Sequence, residues 1–217
     1  MSATTNPIEH IVVVMLENRS YDNMLGGLYN PHNAPPYDRA PAGQADLNGL
    51  GPNPGATWSN PDQAGQPVPV HNQTTDTSTP SSDPIVSGFL FPATSIPIID
   101  PGETFGDMAW QITGSSQTSN PYTTWPPSNS SNNMRGFVAD YQAQVPIGKT
   151  TPIVPPENVP DVMNYFNPSQ VPVTAWLANN FAVCDNWYAS VPTQTFTNRV
   201  FAHCAAPGVI LPQDTPP

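Results

Sequence analysis

The sequence predicts an α/β fold, and three observations carry that prediction. Residues 8–16 form an apolar run rich in Val and Ile, and residues 181–188 read as a second run of the same kind. An apolar run without alternation reads as a strand buried on both faces, as in a parallel sheet. Each run is followed by residues suited to opening a helix. The third observation is composition: 30 prolines and 14 glycines in 217 residues leave room for one modest core joined by very long loops.

Taken in order, the first run ends at a polar corner, Glu17 and Asn18, and continues into Ser20-Tyr-Asp-Asn-Met-Leu25. This is a short helix with Ser20 as its cap and Gly26-Gly27 as its stop. In open α/β sheets ligands bind at the carboxyl ends of strands, where Glu17 and Asn18 fall. From residue 30 to about residue 100 periodicity is lost, and Asn30-Pro31, Gly51-Pro52 and Asn60-Pro61 mark turns. So long an uncommitted stretch is a lid or a linker. It reads as a loop-rich insertion covering the sheet, within a single domain spanning residues 1–217.

Residues 114–133, rich in Asn, Ser and Thr, read as another exposed loop, and residues 134–142 as a short element helical from Gly136 onward. Val173, Trp176, Leu177 and Phe181 fall at i, i+3, i+4 and i+8, which predicts one apolar helical face with Pro172 tolerated in its first turn. Beyond the second predicted strand, Thr195 stands where a new helix begins, and Phe196, Val200 and Cys204 continue it at i+4 steps.

Charge excludes some functions. The net charge of −11, from 16 acids against 5 bases, argues against electrostatic binding of nucleic acid. The longest apolar stretch, residues 11–16, is far short of the roughly 20 residues that cross a bilayer. The N-terminal residues lack the basic-then-apolar pattern of a secretion signal, which leaves localisation open. Cys184 and Cys204 read as two buried thiols, or as a pair if the protein is exported. His10, His32, His71 and His203 show no paired ligand spacing, so any metal must lean on oxygen ligands. Asn18, Asn72 and Asn129 match the glycosylation pattern, which arises by chance in a polar chain.

The Thr195 corner carries chemistry. A helix N-terminus exposes unpaired N–H groups and a positive dipole end, which favour a bound phosphate. A threonine hydroxyl is a poor nucleophile until activated, and coordination to a metal held by Glu17, Asn18 and Thr195 is one way to do so. Arg199, one helical turn on, reaches back to a phosphate or points to solvent. On the residues alone, Thr195 reads more readily as an ordinary helix cap than as a nucleophile, and Glu17 and Asn18 more readily as polar loop residues than as ligands.

The segment Ile8-Glu-His-Ile-Val-Val-Val-Met-Leu-Glu-Asn-Arg-Ser-Tyr-Asp-Asn-Met-Leu-Gly26 resembles the opening signature of the bacterial phosphoesterase family, which contains the non-specific phospholipases C and related acid phosphatases. Residues 171–188, running into Val191-Pro-Thr-Gln-Thr-Phe-Thr-Asn-Arg199, resemble that family's second signature. The resemblance implies an alkaline-phosphatase-like fold, a mostly parallel sheet flanked by helices. It also implies Glu17, Asn18 and Thr195 as ligands of a divalent metal ion, zinc or calcium, with Thr195 as nucleophile and Thr193 as the rival hydroxyl. Residues 100–105 resemble a family segment that approaches the active site, where some members carry a histidine. Glu103 stands there in this chain, the candidate with Arg199 for contact with substrate.

Members of the family supply paired aspartates from a second half, and no Asp-Asp pair follows Val200. The expectation is therefore a phosphoric-ester hydrolase on an incomplete fold, acting on a monoester or a phospholipid, with Asp140 and Asp185 as the next carboxylates to examine. The alternative is a truncated, inactive phosphate-binding or scaffold protein.

Overall fold

The computed structural model describes residues 10–15, 19–44, 47–72, 100–115, 134–145, 152 and 154–205. In chain order the elements are helix α1 (Tyr21–Leu25), helix α2 (Pro54–Thr57), strands β1 (Ser59–Pro61), β2 (Pro67–Pro69) and β3 (His71–Asn72), helix α3 (Phe105–Thr113), helix α4 (Phe137–Ala143), a 3₁₀ helix (Pro156–Met163), strand β4 (Asn164–Tyr165), helix α5 (Pro172–Asn180) and helix α6 (Thr195–Cys204). The architecture is mixed helix and small sheets: β1 and β2 pair antiparallel, and β3 pairs β4 in parallel, His71 opposite Asn164.

α1 forms as its caps dictate. Ser20 Oγ accepts from the Asn23 amide at 3.1 Å, and the Gly26 amide closes the far end on the Tyr21 and Asp22 carbonyls. Its polar residues then dock it onto the chain near β4. Asn23 Nδ2 donates to the Asn164 carbonyl at 2.7 Å, and the Phe166 amide donates to the Asn23 carbonyl at 2.8 Å. Gly27 permits this approach, since a Cβ there would lie 2.9 Å from the Tyr165 ring. Beyond α1, Leu28 packs on Ala175 and Ala178 of α5.

A second packed region gathers α3, α4, the 3₁₀ helix and β1, with Ala109, Val138 and Tyr141 fully buried. Asn60 of β1 joins them: its Nδ2 donates to the Met134 carbonyl at 2.7 Å, and its Oδ1 accepts from the Val138 amide at 3.2 Å. The expected turn at Asn60-Pro61 is therefore part of a strand, and the asparagine satisfies buried backbone groups instead.

Four other expectations are corrected. Residues 10–15 form no strand, and the side chains of residues 11–14 are 73% to 86% exposed. A strand buried on both faces needs paired neighbours and a layer on each side, and among the described residues no strand pairs with this run. Residues 181–188 likewise form no strand; they turn at Asp185 and Asn186 and leave Trp187 85% exposed. On α5 the buried residues are Ala175 and Ala178, while Val173, Trp176 and Leu177, together with Phe181 just past its end, are exposed. Small side chains let Leu28 approach the helix, so the large residues take the other side. Cys184 and Cys204 are free and exposed rather than buried.

Within the predicted insertion, the described residues up to 72 carry α2 and three short strands, and residues 73–99 lie outside the described residues. So does the predicted loop over most of residues 114–133. Asn72 is ill placed to accept a glycan, since its Nδ2 donates to the Tyr165 carbonyl at 3.1 Å and to Gln170 Oε1 at 2.9 Å. Asn18 and Asn129 lie outside the described residues.

Exposed apolar side chains in such numbers predict association. The 217-residue chain is expected to elute from size exclusion as species larger than a monomer, and Trp187→Ser with Tyr188→Ser to shift it toward the monomer. A monodisperse monomer that the double substitution leaves unchanged would show that these side chains drive no self-association.

Candidate active site

Thr195 is the first residue of α6, as the sequence predicts. Gln194 is the N-cap, with extended backbone and no side-chain bond to the helix, so no side chain of the capping residue occupies the first-turn amides. Those amides and the positive end of the helix dipole favour an anion. Thr195 and Arg199 are both half-buried and lie one turn apart on the same helix.

The corner ahead of α6 is held by Asn198, whose role the sequence reading passed over. Its Oδ1 accepts from the Val191 amide at 3.2 Å, and its Nδ2 donates to the Val191 carbonyl at 3.1 Å and the Thr193 carbonyl at 2.8 Å. A further contact to the Gln194 carbonyl is longer, at 3.4 Å. An amide nitrogen has two hydrogens, and the two shorter contacts take them. One side chain thus fastens both ends of the turn that presents Thr195. The only sequence signal was an asparagine three residues into a helix that follows a proline-containing turn.

Tyr21 of the first signature segment lies within electrostatic reach of Asp185 of the second. The Tyr21 hydroxyl is buried and has no hydrogen-bond partner among the described residues. Burial, together with the charges of Asp185 and Asp22 and the neighbouring Tyr29, pushes its pKa up to about 12, so the phenol stays protonated. α1, which begins four residues after Glu17 in the sequence, is therefore within electrostatic reach of the loop that leads to Thr195.

Asp185 itself is engaged structurally: Oδ2 accepts from the Asn48 amide at 2.7 Å and Oδ1 from Asn186 Nδ2 at 3.0 Å. Asp140 is enclosed between α3 and α4, only 2% exposed, and is not open to a substrate in solvent. Glu103 is half-buried, two residues ahead of α3. Arg19, two residues after Glu17 in the sequence, lies over the Phe166 ring at 5.6 Å and is partly desolvated, which lowers its pKa. Glu17 and Asn18 lie outside the described residues. Among the described residues no three His, Cys, Asp or Glu side chains gather to hold a metal ion, so the fit of a metal rests on the all-oxygen donor set of Glu17, Asn18 and Thr195. No helix among them is long and apolar enough to cross a membrane.

Residues 8–210 match the profile of the phosphoesterase family. The chain belongs to the phosphoesterase family. Within it, the chain is 31% identical over 199 residues to non-specific phospholipase C1 of Arabidopsis thaliana, covering 92% of this chain and 28% of that protein. It is 30% identical over 201 residues to non-specific phospholipase C6 of the same plant, again 92% of this chain and 28% of the relative. Phospholipase C B of Mycobacterium tuberculosis is 28% identical over 194 residues, 89% of this chain and 29% of the relative. The chain thus spans less than a third of the length of these curated relatives.

Proposed function

We propose that this phosphoesterase is a metal-dependent phosphoric-ester hydrolase of the phospholipase C or acid phosphatase type, with Thr195 as its nucleophile. The observation that carries the reading is the placement of Thr195 at the head of α6, on a turn pinned by Asn198, in a chain matching the family over residues 8–210. The fold that suits it is alkaline-phosphatase-like.

The Thr195 oxygen attacks phosphorus in line with the leaving alcohol. The Thr195 O–P bond forms, the P–O bond to the alcohol breaks, the hydroxyl proton passes to solvent, and the alcohol leaves with a proton from water. Water then attacks the phospho-threonine from the opposite side, breaking the Thr195 O–P bond and releasing the phosphate or phosphomonoester. Amides of the first turn of α6 hold the phosphoryl oxygens, and Arg199, one turn further, balances their charge. Glu17, Asn18 and Thr195 would hold a divalent ion, zinc or calcium, which when bound lowers the hydroxyl pKa and offsets phosphoryl charge.

Turnover of p-nitrophenyl phosphate and of p-nitrophenyl phosphorylcholine, with and without a chelator, tests the reading and separates monoester from diester preference. Chelator-sensitive hydrolysis of either supports it. A second reading, a phosphate-binding protein without turnover, is favoured by the exposure of residues 11–14, since a site whose sheet is unassembled lacks a rigid base. Phosphate binding with no hydrolysis under any metal selects it.

Glu17→Gln keeps the shape of the side chain and removes a formal charge. Metal affinity is expected to fall by about 10-fold or more, with added metal partly restoring the rate. Mass spectrometry of the metal content decides: the same stoichiometric ion in both proteins rules out Glu17 as a ligand.

A further inference from the structure

The predicted insertion lays one short segment, residues 47–51, against the C-terminal end of α1. Leu47 packs on the same apolar cluster as Leu25 of α1 and Val183, and Leu50 shares a second cluster with Val70 and Tyr165. The Leu50 amide donates to the carbonyl of Gly26, the C-cap of α1, at 2.8 Å. Gly49 permits the approach, since a Cβ there would lie 3.0 Å from that same carbonyl oxygen. Two side chains add to the hold: Trp58 Nε1 donates to the Leu50 carbonyl at 3.0 Å, and Asn30 Nδ2 to the Gly51 carbonyl at 3.0 Å. Residues 47–51 are thus fixed to α1.

Asp185 joins that fixed segment to the chain ahead of α6. Its half-buried carboxylate accepts the Asn48 amide through Oδ2 at 2.7 Å, a short charge-assisted bond. Oδ1 accepts from Asn186 Nδ2 at 3.0 Å, and Asn186 Oδ1 in turn accepts from the Tyr188 hydroxyl at 3.0 Å. Ala189 and Ser190 then separate Tyr188 from Val191, which Asn198 grips from α6. The Asn198 clasp fixes the shape of the turn, but its partners all lie in that same turn, so it does not decide where the turn stands against α1. We propose that Asp185 is a positioning residue: by binding the Asn48 amide it sets the place of the Thr195 turn relative to α1. The kinetic consequence rests on Thr195 as the nucleophile, whereas the placement of the turn does not.

In the full-length protein, Asp185→Ala is expected to lower kcat by about 10- to 10²-fold and KM by far less, because the misplaced group is the attacking oxygen. Asp185→Asn keeps an oxygen for the Asn48 amide and is expected to bring kcat back to within a few fold of wild type, with metal content unchanged in both variants. A wild-type kcat in Asp185→Ala overturns the proposal. So does an asparagine variant as slow as the alanine one, and metal lost from both would make Asp185 a ligand instead. Asn48→Pro removes the same bond from the donor side and stands in if Asp185→Ala does not fold. Asn48→Ala, which keeps the amide and changes only an exposed side chain, is its control.

Hydrogen exchange on the same proteins separates the placement of the turn from the identity of the nucleophile. In Asp185→Ala the amides of Asn48, Val191 and Thr193 are expected to exchange together, about 10-fold or more faster than in wild type, whichever threonine reacts. Faster exchange at Asn48 alone means that the bond does not reach the turn, and overturns the proposal. If Thr195→Ala stays active while the three amides still respond together, the nucleophile assignment falls and the placement by Asp185 stands.

Discussion

Thr195→Ala is expected to abolish hydrolysis of p-nitrophenyl phosphate and p-nitrophenyl phosphorylcholine by the intact gene product, a loss on the order of 10⁴-fold or more, because the attacking atom itself is removed. The fold should survive. Thr195 is half-buried, and Gln194 rather than Thr195 is the N-cap, so the substitution removes no cap. Thr195→Ser, which keeps a hydroxyl at the head of α6, should retain part of the activity, and Thr193→Ala should stay within a few fold of wild type. The reverse ranking, with Thr193→Ala inactive and Thr195→Ala active, moves the nucleophile two residues upstream. Far-UV circular dichroism on each variant guards against reading unfolding as loss of chemistry.

Asn198→Ala carries the second largest expected effect. The side chain binds the Val191 amide and the Val191 and Thr193 carbonyls, so its removal takes a partner from three backbone groups, the Val191 carbonyl keeping only the Thr193 amide, and lets the turn drift. Misplacement of a reacting oxygen by about 1 Å costs on the order of 10²-fold in rate, so kcat should fall by about that much. Stability should fall less, by about 1–2 kcal/mol. Asn198→Asp tells a hydrogen-bond role from a packing role. It matches the shape but replaces the donor facing two carbonyls with an acceptor, and should be at least as damaging as alanine. An aspartate variant with wild-type kcat would mean that Asn198 merely fills space.

Local signals in the sequence were legible because the residues that decide them are neighbours. Ser20 and Gly26 bracket α1, Gly136 precedes α4, Pro172 opens α5, and Thr195 opens α6, all as predicted. Strands were not legible in the same way. Residues 11–14 have the composition of a buried strand, but burial is a property of what lies alongside, and nothing in a local apolar run specifies its neighbours. The face of α5 failed for a related reason. Periodicity weights Trp176 and Leu177 by size, whereas the contact with Leu28 is made by Ala175 and Ala178, whose small side chains permit it. Of the candidate site, the position of Thr195 on its helix was visible. The Asn198 clasp and the Tyr21–Asp185 neighbourhood were not, since the first depends on turn geometry and the second joins residues far apart in the chain.

The central claim is that a phosphoryl group passes through Thr195, and acid-quenched turnover followed by peptide mass spectrometry tests it most directly. The account predicts phosphate on the peptide containing Thr195, with fragmentation placing it on that residue and its level rising when hydrolysis of the intermediate is slowed. Phosphate on Thr193, or burst-free turnover that leaves no phosphorylated threonine at any quench time, would contradict it.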